Sequence, residues 1–173
     1  MCSRGSIIPL FIEQIKARQP MTVTVPEMTR YMMSLDQAVD LVLFAFRNAK
    51  PGDLFVQKAP AATIKTLAQA VKELFQADNE IQVIGARHGE KMYETLCTSE
   101  EMSKAEDLGD FYRIPADIRD LNYSLYVNRF GHRLDVPDYN SDNARLLNVE
   151  QMKELLFSLD YIRERLDEFG IKY

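Results

Sequence analysis

Cysteine and histidine are scarce in this chain of 173 residues, which contains only two of each. Cys2 and Cys97 form no CxxC pair, so neither a zinc site nor a disulfide framework is expected. Apolar runs are short, and none reaches the roughly 18 residues that a membrane-spanning helix needs. Glu13 and Lys16 interrupt the first apolar stretch too early for a signal peptide. The sequence therefore predicts no membrane span and a cytoplasmic location.

An excess of positive charge is also missing. The chain has 21 lysine and arginine residues against 26 aspartate and glutamate residues, which gives a formal net charge of -5. A general nucleic-acid-binding protein normally carries a basic excess, so nucleic acid is not an expected partner. A small anionic ligand is still compatible with this composition, because a few local cations are enough to bind it.

Familiar enzyme motifs are absent as well. The sequence has neither a glycine-rich dinucleotide fingerprint nor a P-loop. No tyrosine is followed four residues later by a lysine, the spacing that would place both on one helix face for proton transfer; after Tyr31, for example, that place is held by Leu35. His88 and His132 have no evident nucleophile partner. The sequence therefore predicts no catalytic residue in this chain.

Hydrophobic periodicity predicts a mixed α/β fold. Apolar residues at helical spacing predict helices at residues 6–18, 34–49 and 63–76. Short apolar or β-branched runs predict strands at residues 22–25, 54–57 and 81–84. Alternating helices and strands are typical of α/β domains. The helix at 34–49 is apolar on most of its circumference, so we expect other elements to cover it on both sides.

The pattern weakens after Glu94. A short helix at 99–104 and a strand at 111–114 are predicted, whereas residues 119–145 show no sustained period and are interpreted as an irregular arm over a surface or a neighbouring subunit. Asn148 and Gln151 form a capping box that begins a last helical region, with a break near residues 159–160. The predicted division is an α/β portion at 1–118 and an arm with a helical extension at 119–173.

Two clusters of polar residues border predicted helices and could bind an anion. Ser3, Arg4 and Ser6 directly precede the first helix, whose N-terminus attracts negative charge. A plain capped helix start is the alternative. Thr29 and Arg30 lie between a strand and a helix, and here a surface charge is the alternative.

Two further clusters follow later in the chain. Residues 87–91 (RHGEK) combine the donor fork of Arg87, the mobile charge of Lys91 and a glycine that allows close backbone approach. A solvated turn is the alternative. The last cluster indicates a structural salt-bridge network rather than a binding site, and it comprises Arg113, Asp117, Arg119 and Asp120.

Three of these segments occur in an order that resembles a known family. Residues 3–11 (SRGSIIPLF), 26–35 (PEMTRYMMSL) and 87–94 (RHGEKMYE) are similar to the C-terminal half of the bacterial nucleotide-sugar dehydratases and epimerases of capsule and lipopolysaccharide synthesis. These are extended short-chain dehydrogenase/reductases. The pattern most resembles the inverting, 5-epimerising UDP-N-acetylglucosamine 4,6-dehydratase branch, and residues 139–161 resemble its C-terminal extension.

The resemblance implies a UDP-sugar ligand and a role for each matching residue. Ser3, Arg4 and Ser6 would lie near the sugar and the nucleotide, and Arg30 and Arg87 near the diphosphate. Glu90 would accept a hydrogen bond from a ribose hydroxyl, supported by Lys91. The predicted substrate-binding residues are Ser3, Arg4, Ser6, Thr29, Arg30, Arg87, Glu90 and Lys91.

Family members carry a further half-chain before the first of these segments, with an NADP-binding Rossmann motif and the catalytic lysine. The resemblance therefore implies the C-terminal substrate-binding portion of an extended short-chain dehydrogenase/reductase that lacks the N-terminal Rossmann domain. NADP is expected in the missing half and no cofactor in this chain, which would not catalyse alone. Two alternatives stay open: a UDP-glucose 4-epimerase fragment, and a non-catalytic module that joins subunits. Either a homo-oligomer or an association with full-length relatives is an expected assembly.

Overall fold

The computed structural model describes residues 1–3, 5–116 and 136–172. Within these ranges the helices are α1 (Ile7–Lys16), α2 (Leu35–Asn48), α3 (Ile64–Leu74), α4 (Ser99–Met102), α5 (Val149–Phe157) and α6 (Asp160–Glu168). The strands are β1 (Met21–Val23), β2 (Thr29–Tyr31), β3 (Leu54–Gln57), β4 (Ala61–Thr63), β5 (Ile81–Val83), β6 (Thr95–Cys97), β7 (Glu106–Asp107), β8 (Phe111–Ile114) and β9 (Tyr139–Asn140). This composition confirms the predicted mixed α/β class.

The chain forms two compact units. The first comprises Met1–Leu35, Ala59–Glu94 and Ser141–Tyr173, and the second comprises Asp36–Lys58 and Thr95–Asn140. The predicted boundary between residues 118 and 119, and most of the predicted arm at 119–145, lie outside the described residues. No helix in the described ranges is long and apolar enough to cross a membrane.

The first unit has one hydrophobic core, to which helices and the strands of two small sheets contribute side chains. Strand β1 pairs with β5 in parallel, with Met21 opposite Ile81 and Val23 opposite Val83. Strands β2 and β4 pair in antiparallel fashion. Helix α1 buries the predicted stripe of Ile8, Phe11, Ile12 and Ile15, and the other helices of this core are α3, α5 and α6. The first unit is thus built on the amphipathic spacing that the sequence shows.

Two helix starts in the first unit are capped by side chains. Thr63 precedes α3 and its hydroxyl accepts a hydrogen bond from the Thr66 amide at 3.0 Å. Asn148 and Gln151 form the predicted reciprocal capping box of α5, at 2.9 Å and 3.1 Å. The predicted break near residues 159–160 is also confirmed, because α5 ends at Phe157 and α6 begins at Asp160.

The second unit is organised around an antiparallel sheet in the order β3–β8–β7. Strand β3 has the predicted bounds, and Phe55 lies opposite Arg113 of β8. The Arg113 guanidinium bonds Asp53 at 2.8 Å and Glu106 at 2.9 Å. Arg113 therefore does take part in a structural salt-bridge network, whereas the partners predicted for it, Asp117, Arg119 and Asp120, lie outside the described residues.

One fold prediction is wrong. Helix α2 was expected to be covered on both sides, yet it has no buried residue, and Val39, Val42 and Phe46 are among the exposed large apolar side chains of the protein. Apolar composition all around a helix predicts burial only when enough neighbouring elements are present to cover it. In the described part of the chain, α2 is held by aromatic contacts on one side.

Candidate functional site

The polar stretch at residues 87–91 begins just beyond the parallel pair of strands in the first unit. The Ile84 amide donates to the Val23 carbonyl at 2.8 Å and the Gly85 amide to the Thr24 carbonyl at 3.0 Å, which extends the β1–β5 pairing. Gly85 then adopts a positive φ of 84°, a conformation that glycine takes without steric cost. The chain therefore leaves the sheet edge directly into the charged turn.

Glu90 closes this turn. Its carboxylate accepts from the Arg87 amide at 3.1 Å and from the Thr24 hydroxyl at 3.1 Å, while its own amide donates to the Arg87 carbonyl at 3.1 Å. Gly89, between them, has a φ of 81°. These bonds tie the turn to the end of β1. A carboxylate has about four acceptor positions, so Glu90 keeps capacity for a ligand hydroxyl.

Arg30 holds the segment that follows the turn. From β2, its guanidinium donates to the Lys91 carbonyl at 2.9 Å, to the Thr29 carbonyl at 2.7 Å and, more weakly, to the Met92 carbonyl at 3.4 Å. Its Nε lies 3.8 Å from a Glu94 carboxylate oxygen. Several donors of the Arg30 fork are thus occupied by backbone, which makes Arg30 a brace for residues 91–92.

A buried pair of hydroxyls completes the framework. Thr29 and Ser141 are the buried polar residues of the described chain, and their hydroxyl oxygens lie 2.8 Å apart. The Ser141 hydroxyl also accepts from the Glu94 amide at 2.9 Å, and the Ser141 amide donates to the Glu94 carbonyl at 2.8 Å. Sequence reasoning missed Ser141, because a single serine after a two-residue strand carries no periodic or motif signal.

The Arg87 and Lys91 side chains are the cations that the turn presents. Both residues are exposed, and within the described part of the chain neither side chain forms a hydrogen bond or an ion pair. Their backbones, by contrast, are held by Glu90 and Arg30. The arrangement places two free cationic side chains on a braced turn, which suits an anionic ligand.

The N-terminal cluster is held by its own bonds. The Ser6 hydroxyl lies 2.7 Å from the Ser3 carbonyl and 2.8 Å from the Met1 carbonyl, so the side-chain hydrogen bonds of Ser6 stay within the first six residues. Ser6 is the N-cap residue of α1 by backbone geometry, without a side-chain cap. Arg4 lies outside the described residues. Hydrogen bonds join Thr29 and Arg30 to residues 91–92, and others join Arg87 to Glu90 within the turn. The ligand contacts of all eight predicted residues stay predictions.

The absence of a dinucleotide cofactor from this chain stays a prediction. Nucleotide phosphates usually bind where a parallel strand turns into a helix, at exposed helix amides. Here β1 leads to β2, and β5 leads through the charged turn to β6. The described chain also holds no group of three or more side chains that could bind a metal ion.

Comparisons with known proteins identify the family. Residues 1–116 match the family model described as "Polysaccharide biosynthesis protein", and residues 117–163 match "Polysaccharide biosynthesis protein C-terminal". The chain is 56% identical over 167 residues to a UDP-glucose 4-epimerase of Rickettsia felis and 55% identical to one of Rickettsia rickettsii. Each alignment covers 96% of this chain and 49% of the relative, so the chain spans about half the length of these curated relatives.

A solved structure supports the same assignment. The solved structure titled "X-ray structure of Pen from Bacillus thuringiensis" superposes on this chain with a TM-score of 0.73 and 36% sequence identity. The superposition covers 92% of this chain and 46% of the chain in that structure. Together the matches indicate that the chain is similar to the C-terminal region of nucleotide-sugar enzymes of the extended short-chain dehydrogenase/reductase type. Because one family model matches 116 of its 173 residues, the chain belongs to the polysaccharide biosynthesis protein family.

Proposed function

We propose that this chain is the UDP-sugar-binding part of a nucleotide-sugar epimerase or dehydratase used in polysaccharide synthesis. The observation that carries the proposal is the pair of free cationic side chains, Arg87 and Lys91, on a turn whose backbone is braced by Glu90 and Arg30. The names of the Rickettsia relatives support UDP-glucose as one ligand of this class.

The diphosphate is the part of the ligand that the turn recognises best. A nucleoside diphosphate carries several anionic oxygens, which match the planar donor fork of arginine and the point charge of lysine. Because the turn is already ordered, little backbone entropy is lost when these side chains close on the ligand. Arg87 contacts the diphosphate in this proposal, with Lys91 beside it.

The uridine ribose lies next to Glu90 in the same proposal. The Glu90 carboxylate already accepts two hydrogen bonds and can accept a further one from a ribose hydroxyl. Arg30, which donates to the Lys91 carbonyl, supplies positive charge next to the turn. The hydrogen bond between the Thr29 and Ser141 hydroxyls holds strand β2, which carries Arg30, in place. Ser3, Arg4 and Ser6 are proposed to contact the sugar and the nucleotide.

The reaction itself requires more than this chain. NADP would supply hydride transfer at the sugar ring. The proposed NADP site lies in the half of the longer relatives that has no counterpart in this chain. The 5-epimerising UDP-N-acetylglucosamine 4,6-dehydratase activity, and a role in capsule or lipopolysaccharide synthesis, are the finer proposals. UDP-glucose 4-epimerase is the competing reaction, and the Rickettsia relatives carry that name.

Calorimetric titration of the chain with UDP, UDP-glucose and UDP-N-acetylglucosamine tests the binding proposal. We expect all three to bind, and we expect Arg87→Ala and Lys91→Ala each to weaken UDP binding about tenfold, as for the loss of one charge-assisted bond. Arg47→Ala, which removes an exposed cation on α2, is the matched control and should leave affinity unchanged.

Three outcomes overturn the proposal. The first is the absence of UDP binding at millimolar ligand. The second is equal affinity in wild type and in the Arg87→Ala/Lys91→Ala double variant, which would assign the ligand to another site. The third is turnover of either UDP-sugar by the isolated chain, which would contradict its restriction to substrate binding.

A further inference from the structure

Ser141 lies where two segments of the first unit that carry predicted ligand residues meet. One segment is β2, with Thr29 and Arg30, and the other contains the charged turn at residues 87–91 and ends at Glu94. Ser141 is 0% exposed and forms hydrogen bonds to both segments. It is 112 residues away from Thr29 and 47 from Glu94 along the chain, so the fold alone creates this junction.

The hydrogen-bonding capacity of the Ser141 hydroxyl is fully used. A serine hydroxyl offers one proton and two lone pairs. It donates to the Thr29 carbonyl at 3.1 Å and accepts from the Glu94 amide at 2.9 Å. Because its one proton goes to that carbonyl, the Thr29 hydroxyl, 2.8 Å away, is the donor of the third bond. A single buried oxygen atom therefore fixes the distance between Thr29 and Glu94.

The Thr29 carbonyl connects Ser141 to Arg30. It accepts from the Ser141 hydroxyl and, at 2.7 Å, from the Arg30 guanidinium, which uses both of its lone pairs. The same guanidinium donates to the Lys91 carbonyl at 2.9 Å, and the Thr29 amide donates to the Met92 carbonyl at 2.9 Å. A short chain of hydrogen bonds thus runs from Ser141 to the backbone of Lys91, which presents one of the two free cations.

The residues that follow Ser141 are anchored in the first unit. The Ala61 amide donates to the Arg145 carbonyl at 2.9 Å, and the Leu147 amide donates to the Ala61 carbonyl at 2.8 Å, so this segment bonds to β4. The Leu147 side chain is 7% exposed and belongs to the hydrophobic core. Ser141 is therefore held from its own side of the junction, independently of the turn.

We propose that Ser141 is a positioning residue of the UDP-sugar site, which holds the strand of Arg30 against the segment that carries the charged turn. The inference rests on the proposed function and adds a residue to the eight predicted ligand contacts. Ser141 does not touch the ligand, and it acts through Thr29 and the Glu94 amide. A site that is already ordered in its binding geometry loses less conformational entropy on binding, so loosening the junction weakens the site.

Amide hydrogen exchange and UDP titration test the proposal on the full chain. Ser141→Ala should speed exchange in peptides covering residues 87–94 about fivefold and weaken UDP binding about fivefold, since order lost from the free turn must be restored on binding. Ile162→Val is the control, because it removes a methyl group from a 0% exposed core residue of α6, which carries none of the predicted ligand residues. It should lower the urea midpoint and leave both readouts unchanged.

The double variant Thr29→Val/Ser141→Ala separates positioning from global stability, and it covers the case of a single variant that does not fold. It removes both buried hydroxyls, so it should regain part of the urea midpoint lost in Ser141→Ala. The Glu94 amide still lacks its acceptor, so exchange at residues 87–94 should stay fast. A return of exchange to the wild-type rate would overturn the proposal, since Ser141 would then contribute stability alone.

The two readouts distinguish this proposal from the proposed function. Unchanged exchange at residues 87–94 in Ser141→Ala overturns the positioning role without reference to any ligand. UDP binding by wild type, with the same affinity in Ser141→Ala, overturns the positioning role and leaves the proposed function standing. The absence of UDP binding by wild type overturns both.

Discussion

The hydroxyl oxygens of Thr29 and Ser141 lie 2.8 Å apart although 112 residues separate them in sequence. The Ser141 hydroxyl also lies 3.1 Å from the Thr29 carbonyl and 2.9 Å from the Glu94 amide. Buried polar groups are costly unless they are paired, so each member of this cluster depends on the others. The pair joins strand β2 to the end of the segment that carries the charged turn.

Ser141→Ala should lower the free energy of unfolding by about 1–3 kcal/mol, because it leaves the buried Thr29 hydroxyl and the Glu94 amide without a partner. Urea denaturation measures the change. Ser158→Ala is the control, since it removes an exposed hydroxyl bonded to the Leu155 carbonyl and should cost less than about 0.5 kcal/mol. Equal losses in the two variants would contradict a special role for the buried pair.

Arg30→Lys should loosen residues 87–94 without unfolding the first unit. A lysine retains the charge but cannot reach the Thr29, Lys91 and Met92 carbonyls together. Losing about 1 kcal/mol of local stability would speed amide hydrogen exchange roughly fivefold. Mass-spectrometric exchange on peptides covering 87–94 measures this, with Arg47→Lys as the control. Unchanged exchange would show that the guanidinium does not brace the segment.

Gly52→Ala should destabilise the protein more than Gly89→Ala. Both glycines have a positive φ, 85° and 81°, so alanine at either position costs roughly 1–2 kcal/mol of backbone strain. An added Cβ at Gly52 would also lie 2.8 Å from the Ala116 Cβ, whereas one at Gly89 meets nothing within 4 Å. Thermal denaturation should show the lower Tm for Gly52→Ala.

The double variant Gly52→Ala/Ala116→Gly separates the two causes. Removing the Ala116 methyl group relieves the close contact and leaves the strain, so part of the lost Tm should return. Should the double variant melt at or below the Gly52→Ala temperature, the contact with Ala116 is not the cause of the extra loss.

Asp53→Asn should make the free energy of unfolding depend less on pH under acidic conditions. The Arg113 guanidinium, at 2.8 Å, and the Lys50 amide hold the pKa of the Asp53 carboxyl below its usual value. A lowered folded-state pKa favours the folded state above the usual value of about 3.9, and this contribution disappears as pH falls through the folded-state pKa. Urea denaturation between pH 7 and pH 2 should show that the free energy of unfolding falls less for Asp53→Asn than for wild type. Asp40→Asn, an exposed aspartate on α2, is the control.

Local features were the ones that sequence reasoning predicted well. The buried stripe of α1, the Asn148 cap and the break before Asp160 all depend on residues within a few positions of one another. Strand β3 was predicted with its correct bounds because its apolar run follows Pro51 and Gly52, which end the preceding helix. Order along the chain also related three polar segments to a family, and the family match is confirmed.

Short strands that depend on distant partners were missed. Strands β2, β4, β6, β7 and β9 have two or three residues each, too few to show an alternating pattern. Their existence depends on pairing, such as Arg30 of β2 opposite Ala62 of β4. Sheet pairing is a non-local interaction, and a run of three residues does not encode its partner.

The amino-acid sequence by itself determined the helix ends to within about two residues, which faces of α1 and α3 are apolar, and where the charged turn at residues 87–91 lies, because periodicity and capping act over one or two helical turns. Only the tertiary structure decided that Arg30 bonds the carbonyls of residues 91–92, that Ser141 meets Thr29, and that apolar side chains of α2 face solvent. Those outcomes depend on which distant segments come to lie side by side, and on how much of the apolar surface the rest of the chain is able to cover.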